Sequence, residues 1–288
     1  MNGSTGLRNG CSNAKRPRRR SLLTLRIATG GNRVDVLRSM FPVKIFDSPG
    51  VQKNGYGGAM NDIASRIWAA CPARMLIGAD GAKGTATSSV AKSRVLLVHG
   101  IADSAASMRV LQKRLARDGR ESLAISLTPG DGSVSLETLA LQLRDYVRDH
   151  FSPSERFDLL GFSMGGLICR YYVQLLGGYR RVDRLIIISS PNHGTLLAFL
   201  NSRVGCKEMR PGSAFLQKLN QDCSALRDLH VFSFWTPLDL VILPAKSSRI
   251  PFGVNREVPV LAHPLMILQR KPLDEIAKAL SRPIRRRD

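Results

Sequence analysis

A short turn between a predicted strand and a predicted helix constrains the fold more than any other feature of the sequence. It reads Gly161-Phe-Ser-Met-Gly165, follows an apolar strand pattern at residues 156–160 and precedes a helical pattern at residues 167–176. A turn this tight is strained, so the two glycines are needed for the backbone to close up. Ser163 is then exposed at the helix N-terminus, where the helix dipole favours developing negative charge. The structural alternative is a plain turn in which Ser163 caps the helix.

Strands and helices alternate along the chain from residue 94 onwards. Predicted strands cover residues 94–98, 121–127, 156–160, 182–189, 229–235 and 258–261. Apolar residues at helical spacing predict helices over residues 104–118, 136–150 and 167–176. This alternation predicts an α/β fold, with a mostly parallel sheet, helices on both faces and right-handed crossovers. Active sites of such sheets gather at the C-terminal ends of the strands.

The first 92 residues differ in composition from the rest of the chain. They hold 15 Lys and Arg residues but only four Asp and no Glu, in a chain whose formal net charge is +21. Gly, Ser and Asn are frequent and apolar runs are short, which predicts a weakly structured basic extension before a domain over residues 93–288. The densest basic run is Lys15-Arg-Pro-Arg-Arg-Arg20, and a second is Arg285-Arg-Arg287.

The basic runs bear on possible partners. Such runs attract anionic membrane surfaces or nucleic acid, although a solvated tail is the plainer interpretation. No aromatic residue is interleaved with residues 15–20, so a stacking surface for nucleic acid is not supported. We therefore expect an anionic membrane surface as the candidate partner of the N-terminus and no specific nucleic acid.

The N-terminal residues do not form a clean export signal. Arg19-Arg-Ser-Leu-Leu-Thr24 resembles a twin-arginine signal, but Arg26 interrupts the apolar run that should follow. No run of about 18 apolar residues occurs, so we expect no transmembrane helix. We favour a cytoplasmic location, with export as the alternative. A start at Met40, Met60 or Met75 would remove part of this segment from the mature protein.

The five cysteines are widely spaced and odd in number. This pattern indicates neither a disulfide framework nor a zinc site, and we predict no metal. We favour free thiols, with one alternative: Cys206 and Cys223 flank one segment and could pair in an exported protein.

A serine hydroxyl needs a general base to act as a nucleophile at neutral pH. The order of catalytic residues in a strand–turn–helix site of this kind is serine, then acid, then histidine. Of the five histidines, His263 alone lies late enough in the chain to leave room for an acid before it. A surface histidine before Pro264 is the structural alternative. His99 precedes a glycine at a strand end, where we expect it to shape the loop.

The acid of such a site should hold the imidazole tautomer and stabilise its protonated form. Asp239 follows the predicted strand at residues 229–235, in the loop Thr236-Pro-Leu-Asp239, and is our candidate. Asp183 lies at the wrong end of its strand, and Asp222 and Asp228 precede the strand. Alternatively, Asp239 only caps the turn after the proline.

An acyl-transfer site also needs an oxyanion hole, typically two backbone N–H groups. The residue after the nucleophile, Met164, is one candidate donor. Ile101, in the loop after the first strand and beyond His99 and Gly100, is the other. These are main-chain roles, so the side-chain types carry little information.

Five motifs together resemble a known family. They are Val98-His-Gly-Ile101, Gly161-Phe-Ser-Met-Gly-Gly166, Ser190-Pro-Asn-His-Gly-Thr195, Thr236-Pro-Leu-Asp239 and Ala262-His263. The chain resembles α/β-hydrolases of the bacterial triacylglycerol lipase and esterase type, with the small class 2 lipases and inositol-deacylase-like hydrolases as the nearest groups. The resemblance covers residues 94–280 and implies an α/β-hydrolase fold with Ser163 as nucleophile, Asp239 as acid and His263 as base.

The chain departs from the small lipases in two places. The N-terminal 90 or so residues have no counterpart in them, and residues 196–228 are longer than a bare turn, which predicts a small helical cap. Apolar residues in this segment either belong to the core or line a pocket for an acyl chain.

The resemblance implies hydrolysis of a carboxylic ester through an acyl-serine intermediate, without a metal or organic cofactor. The substrate we expect is an acyl ester of medium or long chain, as in lipid metabolism. Thioesterase, amidase and acyltransferase activities use the same residues and stay open. A non-catalytic binding protein of the same fold, or a basic protein whose extension is the functional part, are the alternatives from other classes.

Overall fold

The computed structural model describes residues 92–227 and 229–284. The predicted basic extension lies outside the described residues except for Lys92, and so do its run at residues 15–20, Cys11 and Cys71. The second basic run, Arg285-Arg-Arg287, also lies outside them, as does Asp228.

Six strands and seven α-helices make up the described part of the chain. The strands are β1 Val95–Val98, β2 Ser122–Ile125, β3 Phe157–Phe162, β4 Val182–Ile188, β5 His230–Trp235 and β6 Val254–Glu257. The helices are α1 Arg109–Arg117, α2 Leu136–His150, α3 Met164–Leu175, α4 Val204–Glu208, α5 Ala214–Gln221, α6 Ser224–Arg227 and α7 Arg270–Leu280. Short 3-10 helices cover Ala105–Met108, Gly178–Arg180, Leu196–Leu200, Ala245–Ser248 and His263–Ile267.

The six strands form one parallel sheet in the order β2-β1-β3-β4-β5-β6. β1, β3 and β4 are buried along their whole length, because helices cover both faces of the sheet. The strand order reverses between β1 and β3, and open parallel sheets have a crevice for ligands at such a reversal, at the carboxyl ends of the strands. The predicted α/β fold with a mostly parallel sheet is confirmed.

Alternate side chains of each strand pack against helices on opposite faces. On one face, Leu96 of β1 shares a core with Leu143 of α2 and Leu167 of α3. On the other face, Leu97 shares a core with Leu111 of α1 and with the apolar stripe of α7. Each of these leucines is fully buried. Burial of one such side chain stabilises the fold by roughly 1.5–3 kcal/mol, so the two apolar layers hold the helices on the sheet.

Two predicted elements differ from the structure. The last strand is β6, Val254–Glu257, whereas the sequence pattern places one at residues 258–261. β6 is an edge strand whose side chains are mostly polar and exposed, so it lacks the apolar run that predicts a buried strand. Helix α3 begins at Met164, three residues before its predicted start, because the turn contains only one residue.

Residues 196–227 form the cap segment, with one 3-10 helix and the short helices α4, α5 and α6. In α5, Phe215, Leu216 and Leu219 are buried in the core, as one of the two interpretations expects. In the 3-10 helix, Phe199 and Leu200 are 55% and 63% exposed. The small helical cap is therefore present, with α5 packed on the domain and the 3-10 helix open to solvent.

The three cysteines within the described residues are free thiols. Cys169 and Cys206 are buried and Cys223 is half-buried. Cys206 and Cys223 are therefore not bridged to each other. Within residues 92–227 and 229–284, the structure contains no helix with the length and apolar character that a membrane span requires.

Gly165 lies where helix α3 meets β1, and this contact gives a stability prediction. A Cβ at this position would lie 2.6 Å from the Val98 carbonyl oxygen and would also collide with the carbonyl of His99. Because backbone cannot move aside as a side chain can, we expect Gly165→Ala to lower the free energy of unfolding by about 3 kcal/mol or more. Urea unfolding measures the loss.

Gly119→Ala is the matched control for this prediction. Gly119 has a φ of +66°, which strains an alanine, but no atom lies within 4 Å of the added Cβ. The strain alone should cost about 1 kcal/mol. Equal losses in the two variants would contradict the interpretation that close contact makes Gly165 necessary.

Candidate active site

Ser163 is the single residue between strand β3 and helix α3. Its φ of 54° and ψ of −123° lie outside the regions that L-residues ordinarily occupy. Its backbone N–H donates a hydrogen bond of 2.8 Å to the Ile188 carbonyl at the end of β4, which holds the strained residue against the sheet. Backbone strain of this kind persists only where the surrounding structure enforces it, and it concentrates at functional sites.

The glycines around Ser163 lie too close to their neighbours to carry side chains without displacing them. A Cβ on Gly161 would lie 2.5 Å from the Gly165 carbonyl oxygen, so strand and helix close directly on each other. A Cβ on Gly100 would lie 3.1 Å from the Cβ of Ser163, so the loop after β1 packs against the serine itself. The three glycines predicted to shape the turn and loop therefore surround the candidate nucleophile.

His263 begins a 3-10 helix after β6, and Asp239 lies in the loop after β5. The two side chains contact each other. The imidazole Nδ1 lies 2.8 Å from Oδ2 of the carboxylate. Both residues are buried, with 7% and 2% of their surface exposed. The His263 ring packs on the ring of Phe162, the residue before Ser163, with ring centroids 4.7 Å apart. The structure thus brings the candidate base and acid together beside the strand end that carries the serine.

The second carboxylate oxygen of Asp239 fixes the acid in its own loop. Oδ1 accepts hydrogen bonds of 2.9 Å from the backbone N–H groups of Val241 and Ile242. Burial alone would raise the pKa of Asp239, but the nearby His263 imidazole and these two N–H groups outweigh it and hold the pKa below its usual value. Asp239 therefore caps its turn and orients His263 at the same time, so the two interpretations from the sequence are compatible.

Thr236 links the loop of the acid to the loop of the base. Its buried hydroxyl donates a hydrogen bond of 2.7 Å to the Val260 carbonyl and accepts one of 3.2 Å from the Val260 N–H. Thr236 lies three residues before Asp239, and Val260 lies three residues before His263. The sequence analysis did not single out Thr236, and only its place in the motif with Asp239 could have indicated it.

His99 has the loop-shaping position expected from the sequence. It is fully buried; its Nδ1 donates to the Gly100 carbonyl at 2.7 Å and its Nε2 accepts from the Leu127 N–H at 2.9 Å. Burial lowers the pKa of His99, which keeps the ring neutral and able to accept. His99 thus connects the loop after β1 to the loop after β2.

The two candidate oxyanion-hole donors belong to the residue after Ser163 and to the loop after β1. Met164 is the first residue of α3, where a helix leaves its N–H groups without intrahelical acceptors. Ile101 follows Gly100, which packs against Ser163. Within the described residues, neither N–H donates to a protein acceptor, whereas the next N–H, of Ala102, donates to the Gly130 carbonyl at 2.8 Å.

The other candidate residues lie apart from this cluster. His150, at the end of α2, stacks on the tyrosine one turn earlier. His193 is exposed in the loop after β4, and His230 is the first residue of β5, at the amino end of the strand. Asp183 lies near the amino end of β4, where its carboxylate pairs with Arg156. No group of three or more His, Cys, Asp or Glu side chains in the described part of the chain could hold a metal ion.

Arg170 of helix α3 is fully buried, although the sequence analysis did not single it out. Its guanidinium donates to the side-chain oxygens of Gln174, Asn192 and Asn220 and to the Leu219 carbonyl, at 2.9–3.1 Å. Burial lowers its pKa to about 10. These neutral partners tie the helix that follows the serine to the loop after β4 and to the cap segment. An arginine inside an otherwise apolar helix pattern was the available signal.

Comparisons with known proteins agree with this fold. A family model for palmitoyl protein thioesterase matches residues 94–223, less than half of the chain. The mature form of Bacillus licheniformis lipase BlEst2 matches with a TM-score of 0.57 at 16% identity, over 69% of this chain and 96% of that one. Aspergillus fumigatus lipase B matches with a TM-score of 0.52 at 16% identity, over 61% and 49%. The thioesterase domain from the curacin biosynthetic pathway matches with a TM-score of 0.50 at 13% identity, over 66% and 90%.

The fold and these likenesses define the class of the chain, which has the α/β-hydrolase fold. At identities this low, the solved structures establish the fold alone. The family model adds similarity to palmitoyl protein thioesterases over residues 94–223, and the expected resemblance to lipase- and esterase-like α/β-hydrolases is confirmed. No curated protein matches the chain.

The Thr236 hydroxyl gives a prediction for the site. Thr236→Val keeps the volume but leaves the buried N–H and carbonyl of Val260 without this partner. We expect the free energy of unfolding to fall by about 1–3 kcal/mol. Thermal or urea unfolding measures the loss. Thr236→Ser keeps the hydroxyl and should lose less than half as much; equal losses would show that the methyl group, not the hydrogen bonds, matters.

Proposed function

We propose that the chain is a serine hydrolase that cleaves carboxylic esters through an acyl-serine intermediate. The observation that carries the proposal is the 2.8 Å contact between His263 Nδ1 and Asp239 Oδ2, beside a strained serine at the end of a parallel strand. In this assignment Ser163 is the nucleophile, His263 the general base and Asp239 the orienting acid. The substrate class is an acyl ester of medium or long chain.

The proposed first half-reaction follows from the orientation of the imidazole. Because Nδ1 faces the carboxylate, Nε2 is the nitrogen available to take the proton of the Ser163 hydroxyl as its oxygen attacks the ester carbonyl. In this proposal, the N–H groups of Met164 and Ile101 donate hydrogen bonds to the negative charge that develops on the carbonyl oxygen. His263 then delivers the proton to the leaving alcohol, and the acyl group stays on Ser163.

The second half-reaction uses the same groups. His263 takes a proton from a water molecule that attacks the acyl-serine, and Ser163 recovers the proton when the acid leaves. Asp239 stabilises the imidazolium in both steps. Its lowered pKa supports this role, because the carboxylate stays ionised while the imidazole changes charge.

A thioester substrate is the second candidate. The match of residues 94–223 to the palmitoyl protein thioesterase model favours it, and the same nucleophile, base and oxyanion donors would serve a thiol leaving group. A thiol leaves more readily than an alcohol and needs less help from the protonated imidazole. The two candidates therefore differ in substrate rather than in mechanism.

The first test of the proposal is hydrolysis of p-nitrophenyl esters from acetate to palmitate, with a palmitoyl thioester assayed beside them. Ser163→Ala should lower turnover by roughly 10³-fold or more, since the covalent route is lost. Ser202→Ala, at an exposed serine, is the matched control and should keep wild-type turnover. Residual turnover of Ser163→Ala close to wild type would refute the assignment, and preference for the thioester would select the second candidate.

Asp239→Asn tests the acid separately. We expect turnover to fall by roughly 10³-fold, because the amide cannot stabilise the imidazolium. The lowered pKa of Asp239 also predicts a stability effect with a definite sign. Its carboxylate stabilises the folded state above its usual pKa, so the advantage of the wild type in free energy of unfolding should shrink as the pH falls below about 4. A difference that is constant from pH 7 to pH 3 would contradict this role.

A further inference from the structure

Large apolar side chains are exposed in three segments that border the candidate active site. We call seven of them the apolar rim, each between 46% and 76% exposed: Leu196, Phe199, Leu200, Val204, Leu238, Leu240 and Leu261. Of the exposed large apolar side chains in the described residues, only Val110 and Val254 lie elsewhere. Scattered single cases are normal on a protein surface, whereas a group around one site indicates an interaction.

Hydrogen bonds hold the rim segments together. The Thr195 hydroxyl donates to the Val241 carbonyl at 2.8 Å and accepts from the Leu243 N–H at 2.9 Å. The Leu196 N–H donates to the Leu243 carbonyl at 2.9 Å. The 3-10 helix of the cap segment is therefore attached to the loop that carries Leu238 and Leu240.

The third rim segment is attached through the catalytic pair. Leu238 and Leu240 flank Asp239, whose carboxylate contacts His263, and Leu261 precedes that histidine by two residues. Leu238, Leu240 and Leu261 are thus close in the chain to the proposed reacting groups. The 3-10 helix of the cap segment is attached to the loop that carries Leu238 and Leu240 through Thr195 and Leu196. Ser163 itself is only 6% exposed, so a large substrate must contact the surface around it before it reaches the hydroxyl.

Lys and Arg residues occur in two of the three rim segments. Residues 195–210 and 236–250 contain five, at positions 203, 207, 210, 246 and 249. Their two carboxylates point to internal partners: Asp239 to His263 and Glu208 to the Leu136 N–H at 2.6 Å. Asp131, from a neighbouring loop, pairs with Arg203. Arg210 donates to the Ala198 and Asn201 carbonyls. Lys207, Lys246 and Arg249 are exposed, so the rim segments present apolar groups together with positive charge.

We propose that the apolar rim docks the domain on an anionic phospholipid surface, with the mouth of the site against the bilayer. Leucine and phenylalanine side chains enter the interface while Lys and Arg meet lipid phosphates, which is the combination that binds anionic membranes. The inference deepens the proposed function and rests on it in one respect, that the bordered site is the hydrolytic one. It would supply acyl lipids directly from the membrane.

The test is co-sedimentation of the full-length chain with vesicles of phosphatidylcholine containing about one-third phosphatidylglycerol. All variants carry Ser163→Ala, so that binding is measured without hydrolysis and independently of whether esters are the substrate. We expect the double variant Phe199→Ser/Leu200→Ser to partition at least about tenfold less onto these vesicles, since two side chains lose their transfer into the interface. Val110→Ser/Val254→Ser removes exposed apolar groups elsewhere and should bind as the parent does.

A second pair of variants tests the contribution of positive charge to vesicle binding. Lys246→Gln/Arg249→Gln should weaken binding to the anionic vesicles several-fold and leave binding to pure phosphatidylcholine vesicles unchanged. Lys113→Gln/Arg117→Gln on α1 is the matched control and should have no effect on either. Melting temperatures of all variants establish that each is folded, as expected for substitutions at exposed positions.

Three outcomes would overturn the inference. One is equal vesicle binding by the rim variant and the Val110/Val254 control in folded protein. The second is binding that depends on the control positions instead. The third is a rim variant that changes the oligomeric mass in sedimentation but not vesicle binding, which would make the rim an interface between copies of the chain. Failure of the ester assay alone would refute the proposed function and leave this result standing.

Discussion

The position of the candidate nucleophile depends on backbone-to-backbone contact between helix α3 and the sheet. The helix begins one residue after β3 ends, so the chain must reverse direction within Ser163, and its positive φ is the result. This reversal is possible only because Gly161 and Gly165 allow contacts that a Cβ would prevent. The strain stays in place because hydrogen bonds to β4 and packing of α3 in the core fix the residues on both sides.

The rest of the candidate site depends on loops from different strands meeting at one edge. Parallel strands bring their carboxyl ends to the same side, which explains why residues 24 positions apart can touch. The strands alone fix only where the loops begin. Thr236 and Asp239 complete the arrangement, because the hydroxyl bonds the chain before His263 while the carboxylate holds both its own turn and the imidazole. The cluster is thus built from hydrogen bonds of Thr236 and Asp239 to backbone groups and from the contact between the Asp239 and His263 side chains.

The sequence predicts the central strands of the sheet better than the outermost strand, for a physical reason. Buried strands and the helices that cover them need apolar residues at fixed spacing, so β1, β3 and β4 could be located, and the motifs at their ends followed. β6 has no such pattern because one side of an edge strand faces solvent. Arg170 was missed because its role depends on partners in the loop after β4 and in the cap segment, which no local pattern brings together.

The two ends of the sheet use buried charge differently. At the amino end, Arg184 contacts both carboxylate oxygens of Asp158 at 2.8 and 2.9 Å and bonds the Arg282 carbonyl at 2.5 Å, while Arg120 bonds the Leu280 carbonyl. Burial raises the pKa of Asp158 to about 6 even with two arginines beside it. There the arginine N–H groups donate to carbonyls at the end of α7, and these hydrogen bonds anchor that helix. At the carboxyl end, the N–H groups of Ile101 and Met164 have no protein acceptor among the described residues. Donors without an internal hydrogen bond can bind a ligand without first breaking one, whereas Arg184 and Arg120 already hold the end of α7.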